Sequence, residues 1–231
     1  MKIKSEIEIY LLAICALFLV LTASCTEAED EPMDDETAFT DIDGNVYHSV
    51  TIGNQIWMVE NLKTTKLNDG TQLPEVTDNY AWSKTAPAAY CSYLNSDSLK
   101  NIYGRLYNWY AVNTGKLCPT GWHVPIYSEW EVLIANAGGG TSAGIKLKEA
   151  GTTHWKDPNT GTNESGFTAL PGGIRLKDGV FAWFVITGLW WTANGGFMDA
   201  ATSYDMVYNE NWVHSMAYVY ECGLAVRCVK D

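Results

Sequence analysis

Strand and turn signals alternate along the first part of the folded chain. Residues 41–45 (DIDGN) form a turn sequence, and the segment that follows, VYHSVTIGNQIWMVENL, is rich in β-branched and aromatic residues. A second turn signal, Gly53-Asn54, divides this segment in two. The pattern predicts strands near residues 46–52 and 55–60, and a further turn at residues 68–70 (NDG).

Two later segments have the spacing of amphipathic helices. Residues 104–112 place apolar side chains at i, i+3 and i+4, and residues 128–137 do so more clearly. In the second segment Ser128 and Glu131 have the spacing of a capping box, and the glycines at 138–140 predict the helix end. Beyond residue 151 short strands separated by Gly, Asn and Asp turns are expected. The prediction is a loop-rich α+β domain.

The N-terminus has the pattern of an export signal. Lys2 and Lys4 precede an uncharged stretch, residues 9–23, of about fifteen residues, whereas a spanning helix needs roughly 20. Small residues and Cys25 follow. Residues 1–24 are therefore predicted to be a signal peptide, with a retained signal anchor as the alternative. The string LTASC resembles a bacterial lipobox, with Thr22 in place of the usual Leu, and predicts lipidation at Cys25 rather than ordinary secretion.

An acidic segment separates Cys25 from the folded part. Seven of residues 27–36 are Asp or Glu, so residues 25–38 are predicted to be a solvated tether. The run resembles that of surface-exported lipoproteins of the Bacteroidetes, which implies a lipid-anchored, surface-exposed place on the outer membrane. The formal net charge of −12 and the lack of a Lys/Arg cluster argue against a nucleic-acid partner.

Four cysteines remain beyond the predicted anchor. Cys91, Cys118, Cys222 and Cys228 allow two disulfides in three possible pairings, and none has the C-x-x-C spacing of zinc or redox sites.

Five strings resemble one family, the Fibrobacter succinogenes major paralogous domain, in the order in which that family has them. They are residues 41–71, 103–112 (YGRLYNWYAV), 118–130 (CPTGWHVPIYSEW), 164–175 (ESGFTALPGGIR) and 224–231 (LAVRCVKD). The resemblance covers nearly all of residues 40–231, and the domain is placed at 39–231. Departures are Ile126, where the family tends to have a capping Thr, and residues 191–194 (WTAN), where it tends to have W-S-S-T.

The family resembles the C-type-lectin-like fold, which formylglycine-generating enzymes share. This implies two helices followed by a twisted antiparallel sheet. It also implies a disulfide between Cys118 and Cys228, with Cys91–Cys222 as a second pair. The copper-binding cysteine chemistry of those enzymes is not expected here.

Catalytic motifs are missing from the sequence. There is neither H-E-x-x-H nor G-x-S-x-G, and the four histidines show no ligand spacing. The chain is expected not to be an enzyme, with paired carboxylates of the glycosidase kind as the open alternative. Residues 157–163 alternate oxygen-bearing side chains like the start of a calcium loop, but its twelfth position holds Thr168 instead of Glu. No cofactor is expected, and calcium stays open.

Binding is the favoured class of function. Loops rich in Trp, Tyr, Asn and Asp suit an extracellular glycan, because aromatic faces stack on sugars while amides and carboxylates bind hydroxyls. The alternative is a protein-binding structural or adhesion module of a surface complex. The predicted contact residues are Trp155, Trp191, Asn194, Tyr208, Asn211 and Trp212. Core positions are expected for Trp57, Trp109, Trp122 and Trp130, and Trp190 and Trp191 should point one inward and one outward.

Overall fold

The structure is a computed structural model that describes residues 37–84, 87–196 and 198–231. The predicted signal peptide, the lipidation site Cys25 and the tether up to residue 36 lie outside these ranges. Within them, no helix combines the length and the apolar character needed to cross a membrane.

Strands dominate the architecture, and every pairing between them is antiparallel in the described residues. The first six strands are β1 (Ala38–Thr40), β2 (Val46–Ile52), β3 (Gln55–Met58), β4 (Tyr90–Cys91), β5 (Leu106–Tyr107) and β6 (Trp122–His123). The others are β7 (Ile174–Arg175), β8 (Phe181–Ala182), β9 (Thr187–Gly195), β10 (Ala200–Val207), β11 (His214–Val219) and β12 (Val229–Lys230). One sheet has the order β1-β2-β3-β12-β6 and another the order β11-β10-β9, while β4-β5 and β7-β8 form two-stranded ladders.

Short helices connect these strands. They are α1 (Asn79–Ser83), α2 (Asp97–Tyr103), α3 (Trp109–Val112), α4 (Tyr127–Asn136) and α5 (Ala143–Leu147), with a 3-10 turn at Tyr93–Asn95. The predicted α+β class is confirmed as a mixed fold that is mostly sheet.

The first predicted hairpin is confirmed. Strands β2 and β3 pair from Ser49↔Met58 to Ile52↔Gln55 around the turn at Gly53, whose φ of +64° favours glycine. Strand β1 begins at Ala38, next to the predicted domain start at residue 39, and pairs with β2.

The predicted turn at residues 41–45 is built around one buried carboxylate. Asp41, 8% exposed, accepts hydrogen bonds from Asp43 N (2.9 Å) and Asn45 N (3.0 Å) through Oδ1. Its Oδ2 accepts from Asn45 Nδ2 (2.8 Å) and from the hydroxyl of Tyr47 (2.7 Å). Four donors therefore stabilise this buried acid.

The two predicted helices both need correction. Helix α4 begins at Tyr127 with Ile126 as its cap, not Ser128, because the Glu129 carboxylate reaches back to accept from Ile126 N at 2.8 Å. Glu131 instead accepts from the Tyr204 hydroxyl at 2.6 Å. The predicted end is confirmed: the helix stops at Asn136, before the glycines of residues 138–140.

The helix expected at residues 104–112 is reduced to the single turn α3. Leu106 and Tyr107 pair with β4 as a strand, and Gly104 has a φ of +76°. Asn108 then caps the helix, its Oδ1 accepting from Ala111 N at 3.2 Å. Pairing with β4 prevails here over helical periodicity.

The sheet β11-β10-β9 separates two hydrophobic clusters. Trp191 belongs to the cluster that includes Tyr107 and Leu224, whereas Trp190 belongs to the cluster of Trp57 and Trp130. The two indoles point to opposite faces of β9, because successive side chains of a strand alternate between its faces. Because both faces are covered, neither is exposed, and the expectation that one would face outward is wrong. Trp57, Trp109 and Trp130 are buried as expected, while Trp122 is partly buried against Phe39.

One of the two predicted disulfides is present. Cys118 and Cys228 are bonded, with 6.1 Å between their Cα atoms, and close a loop of 110 residues. A loop of this length is expected to contribute about 4–5 kcal/mol in the chain-entropy model.

The second predicted pair is not formed, and Cys91 and Cys222 are buried free thiols. The reason is packing: Cys91 lies in the cluster with Trp82 and Leu106, whereas Cys222 belongs to the larger cluster around Leu224. Burial raises the pKa of Cys91 to about 12 and that of Cys222 to about 11, so both stay protonated at neutral pH.

Two arginines of the family strings are structural. Arg227 is fully buried, donates from Nε and Nη2 to Asn61 Oδ1 (3.2 and 3.0 Å), and lies 4.2 Å from the Phe167 ring centroid. Arg175 is equally buried and donates to Gly179 O, Val76 O, Thr77 O and Asn79 Oδ1. Both guanidinium groups connect segments distant in sequence by donating to backbone carbonyl and asparagine side-chain oxygens.

Candidate functional site

Two of the six predicted contact residues are part of the core. Trp155 is 2% exposed and donates from Nε1 to Ala169 O at 2.9 Å. Trp191 is fully buried and donates to Tyr107 O at 2.8 Å. Neither ring has a face open to a ligand, so the structure reassigns both to packing.

Asn194 lies apart from the other predicted residues. It is half-buried near the end of β9, and its Oδ1 accepts from the backbone N–H of Tyr127 at the start of α4. Its amide therefore links β9 to α4.

The remaining three, Tyr208, Asn211 and Trp212, share the loop that joins β10 to β11. Trp212 is 53% exposed, and its ring is parallel to that of His214 with centroids 6.2 Å apart. Lys156 Nζ lies 5.0 Å from the Tyr208 ring centroid. Asn211 accepts from Gly144 N through its backbone carbonyl, while its Oδ1 is buried without a partner among the described residues.

A buried lysine holds this loop in place. Lys148 Nζ donates to the carbonyls of Val207 (2.9 Å), Tyr208 (2.9 Å) and Glu210 (2.7 Å), and to Thr160 Oγ1 (2.9 Å). Burial lowers the pKa of Lys148 to about 8. The loop conformation thus depends on a charge inside the fold.

Shortly before this loop, Asp205 of β10 is a buried carboxylate for which the described residues supply no hydrogen-bond donor. It is 8% exposed, its Oδ1 is sealed from solvent, and no hydrogen bond to either oxygen is found among the described residues. Buried polar groups nearly always have partners, and an exception calls for an explanation.

The electrostatics of Asp205 follow from this burial. Burial raises its pKa to about 6, while the facing His214 lowers the pKa and Glu210 raises it. His214 is paired with Asp205 across β10 and β11, but its Nε2 bonds Glu210 Oε2 at 2.7 Å. Asp205 is therefore mostly ionised at neutral pH, and no described donor stabilises its charge.

Two aromatic rings pack together beside the sheet that carries Asp205. Trp183 is 42% exposed, with its ring centroid 6.3 Å from that of Tyr218 on β11. Burial, followed by the charge of Asp205, raises the pKa of Tyr218 to about 12. We call the surface formed by Trp183, Asp205, His214 and Tyr218 the Asp205 face.

The loop that carries Trp183 has an unusual backbone. Trp183 has a φ of +60° and Val185 a φ of +58°, and a β-branched residue rarely occupies this left-handed region. Backbone hydrogen bonds from Val185 N to Pro171 O and from Thr187 N to Trp183 O hold the loop in this form. Such strain costs of the order of 1–3 kcal/mol per residue and clusters at functional sites.

The Asp205 face can accept hydroxyl hydrogen bonds beside flat apolar rings. An ionised carboxylate is a strong acceptor with several lone pairs, and an indole presents a face for stacking. The prediction missed Asp205, Trp183 and Tyr218. The available signal was a lone acidic residue inside the apolar strand sequence ATSYDMV.

The described residues contain no cluster of three or more His, Cys, Asp or Glu side chains suited to a metal ion. In the calcium-like segment 157–163, Asn159 Oδ1 accepts from Gly161 N and Asn163 Oδ1 accepts from Thr168 N. These two amide oxygens are therefore already used as acceptors within the loop.

All four histidines are paired with glutamates. His48, His123, His154 and His214 bond Glu60, Glu129, Glu149 and Glu210 at 2.7–2.9 Å. His123 also bonds Asp231 Oδ1 at 2.7 Å and connects α4 to the last strand.

These features define a mostly antiparallel α+β domain with one disulfide and a partly open aromatic and acidic face. The chain matches the model of the Fibrobacter succinogenes major domain over residues 50–230, and it belongs to that family. No curated protein and no solved structure matches the chain.

Proposed function

We propose that this protein is a non-catalytic binding protein of the bacterial cell envelope, and that the Asp205 face binds an extracellular glycan. The observation that carries this proposal is the buried Asp205 carboxylate, which has no hydrogen-bond donor among the described residues and shares its sheet with Tyr218, whose ring lies 6.3 Å from that of Trp183. A sugar hydroxyl would donate to Asp205 Oδ2, since Oδ1 is sealed from solvent, and the apolar face of a pyranose would cover the indole.

The proposed setting is a lipoprotein anchored at Cys25 and exposed on the outer membrane, and the proposed fold is C-type-lectin-like. The Cys118–Cys228 bridge, which the family resemblance implied, supports the fold assignment.

Palmitate labelling tests the anchor: Cys25→Ser should abolish incorporation, and Cys15→Ser, within the apolar stretch, should not. Equal labelling of both variants would contradict it.

A glycan array tests the binding proposal, using the compact unit Glu36–Asp231 with calcium and again with a chelator. Binding should fall by about tenfold or more, equivalent to about 1.4 kcal/mol, in Asp205→Asn and in Trp183→Ala. Tyr80→Ala is the matched control, because Tyr80 is a 74% exposed aromatic residue outside the Asp205 face. The chelator arm decides whether calcium takes part.

An array without signal would contradict the glycan proposal. Strand β11 is the edge of its sheet, and Ser215, Met216 and Ala217 on it are exposed, which favours strand addition by a protein partner as the second candidate. Capture of a surface protein that sugars do not displace, and that Met216→Lys prevents, would support this second function.

A further inference from the structure

Away from the Asp205 face, three basic side chains line a small cavity. Its volume is about 120 Å³, and its lining includes Lys63, Lys100, Arg105, Thr65 and Asp43. A single water takes about 30 Å³ of liquid, so this space accepts a group of several heavy atoms.

Arg105 is the fixed part of this cavity. Its side chain is 9% exposed, its guanidinium lies 4.4 Å from the Tyr90 ring centroid, and Nε donates to Lys63 O at 2.9 Å. Nη1 contacts Ser92 Oγ and Glu75, but Nη2 has no hydrogen-bond partner among the described residues. A guanidinium held in one orientation offers its remaining N–H groups in a geometry that suits oxyanions.

Two lysines add charge at the same place. Lys63 Nζ has no carboxylate partner within the described ranges and lies 5.5 Å from the Tyr47 ring centroid. Lys100 bonds Asp97 at 2.6 Å, but Asp97 is 87% exposed. An exposed ion pair of this kind contributes little free energy, so Lys100 is free to exchange its partner.

The one lining carboxylate, Asp43, is already neutralised. Its Oδ2 accepts from the Thr65 hydroxyl at 2.8 Å, and its Oδ1 lies 3.0 Å from Lys66 Nζ. The cavity is therefore locally cationic on a chain of formal net charge −12, so the surrounding surface repels anions and this site attracts them.

We propose that this cavity binds a small oxyanion, a carboxylate, sulfate or phosphate group, between Arg105 Nη2, Lys63 Nζ and Lys100 Nζ. The site is independent of the proposed glycan function. The anion is either free in solution or a substituent of an acidic sugar, and the two sources share this chemistry.

The test measures the unfolding midpoint of Glu36–Asp231 against rising sodium sulfate, phosphate, acetate or glucuronate, with sodium chloride keeping ionic strength constant. An anion that binds the folded state raises the midpoint in a saturable way. Amide NMR signals of Thr65 and Asn101 should shift over the same concentration range. Glucuronate acting at lower concentration than acetate indicates a sugar substituent, and the reverse order indicates a free anion.

The variants Lys63→Met and Lys100→Gln remove charge at the cavity without disturbing buried Arg105. Together they should raise the half-saturating concentration by about tenfold, whereas Lys146→Gln, which removes an exposed lysine paired with Glu164, should leave it unchanged. Equal anion effects in the double variant and the wild type, or no effect beyond that of chloride, would overturn the proposal.

Discussion

Asp41 and Asp205 have the same burial and opposite surroundings. Each is 8% exposed, yet Asp41 accepts from four donors within its turn, while Asp205 has none among the described residues. The fold can therefore satisfy a buried aspartate completely, and at Asp205 it does not. Burial alone therefore does not distinguish a structural aspartate from one available to a ligand, whereas the number of hydrogen-bond donors around it does.

The largest effect is expected from Asp41→Asn. Hydrogen bonds to a charged group contribute about 1.5–3 kcal/mol each, and an amide accepts through one oxygen where the carboxylate accepts through two. The free energy of unfolding should fall by about 3–5 kcal/mol in chemical denaturation. Asp178→Asn, in an exposed turn, is the control. An equal loss of stability in both variants would contradict the assignment of a stabilising role to the four donors around Asp41.

Asp205→Asn should act in the opposite direction. The folded pKa of about 6 lies above the ordinary value of 3.8, so the folded state favours the protonated acid. The contribution of Asp205 to stability should be greatest below pH 4, fall as the pH rises to about 6, and then stay level, a loss of up to about 3 kcal/mol.

The amide variant removes this penalty. Its free energy of unfolding at pH 7 should rise by up to about 3 kcal/mol, and its pH dependence between 4 and 6 should flatten. A lower stability at pH 7 would show that the Asp205 carboxylate has a structural partner, and would contradict its assignment to a binding face.

The smallest effect is expected from Trp212→Ala. The ring is 53% exposed and contacts His214, so the free energy of unfolding should change by about 0.5 kcal/mol or less. Trp155→Ala provides the contrast, since loss of a buried Trp costs about 3–5 kcal/mol. Similar losses of stability in Trp212→Ala and Trp155→Ala would contradict the assignment of Trp212 to the surface and Trp155 to the core.

Local patterns predicted much of the first half of the fold. The β2–β3 hairpin depends on a glycine turn and on β-branched neighbours, and the end of α4 depends on adjacent glycines, so both are encoded within a few residues. The cap of α4 was predicted at the wrong residue because Glu129 and Glu131 each have the spacing to cap a helix start, at Ile126 and at Ser128. In the structure Glu129 caps Ile126, while Glu131 accepts from Tyr204, a residue far along the chain.

The candidate site was harder to predict because it depends on long-range packing. Side chains alternate between the two faces of a strand, so the sequence correctly predicted that Trp190 and Trp191 lie on opposite faces of β9. This alternation does not show whether a hydrophobic cluster covers each face. Likewise the sequence shows an aspartate in β10, but not that the facing His214 is already bonded to Glu210. Which donors remain for Asp205 is a property of the tertiary structure.

The position of β12 has a consequence for biosynthesis. This strand lies between β3 and β6, and Cys228 beside it is bonded to Cys118, yet the ribosome makes it after all the other strands of that sheet. Until it arrives, β3 and β6 have unpaired edges, and such edges pair readily with other chains. The sheet can therefore close only once β12, at residues 229–230, has been made.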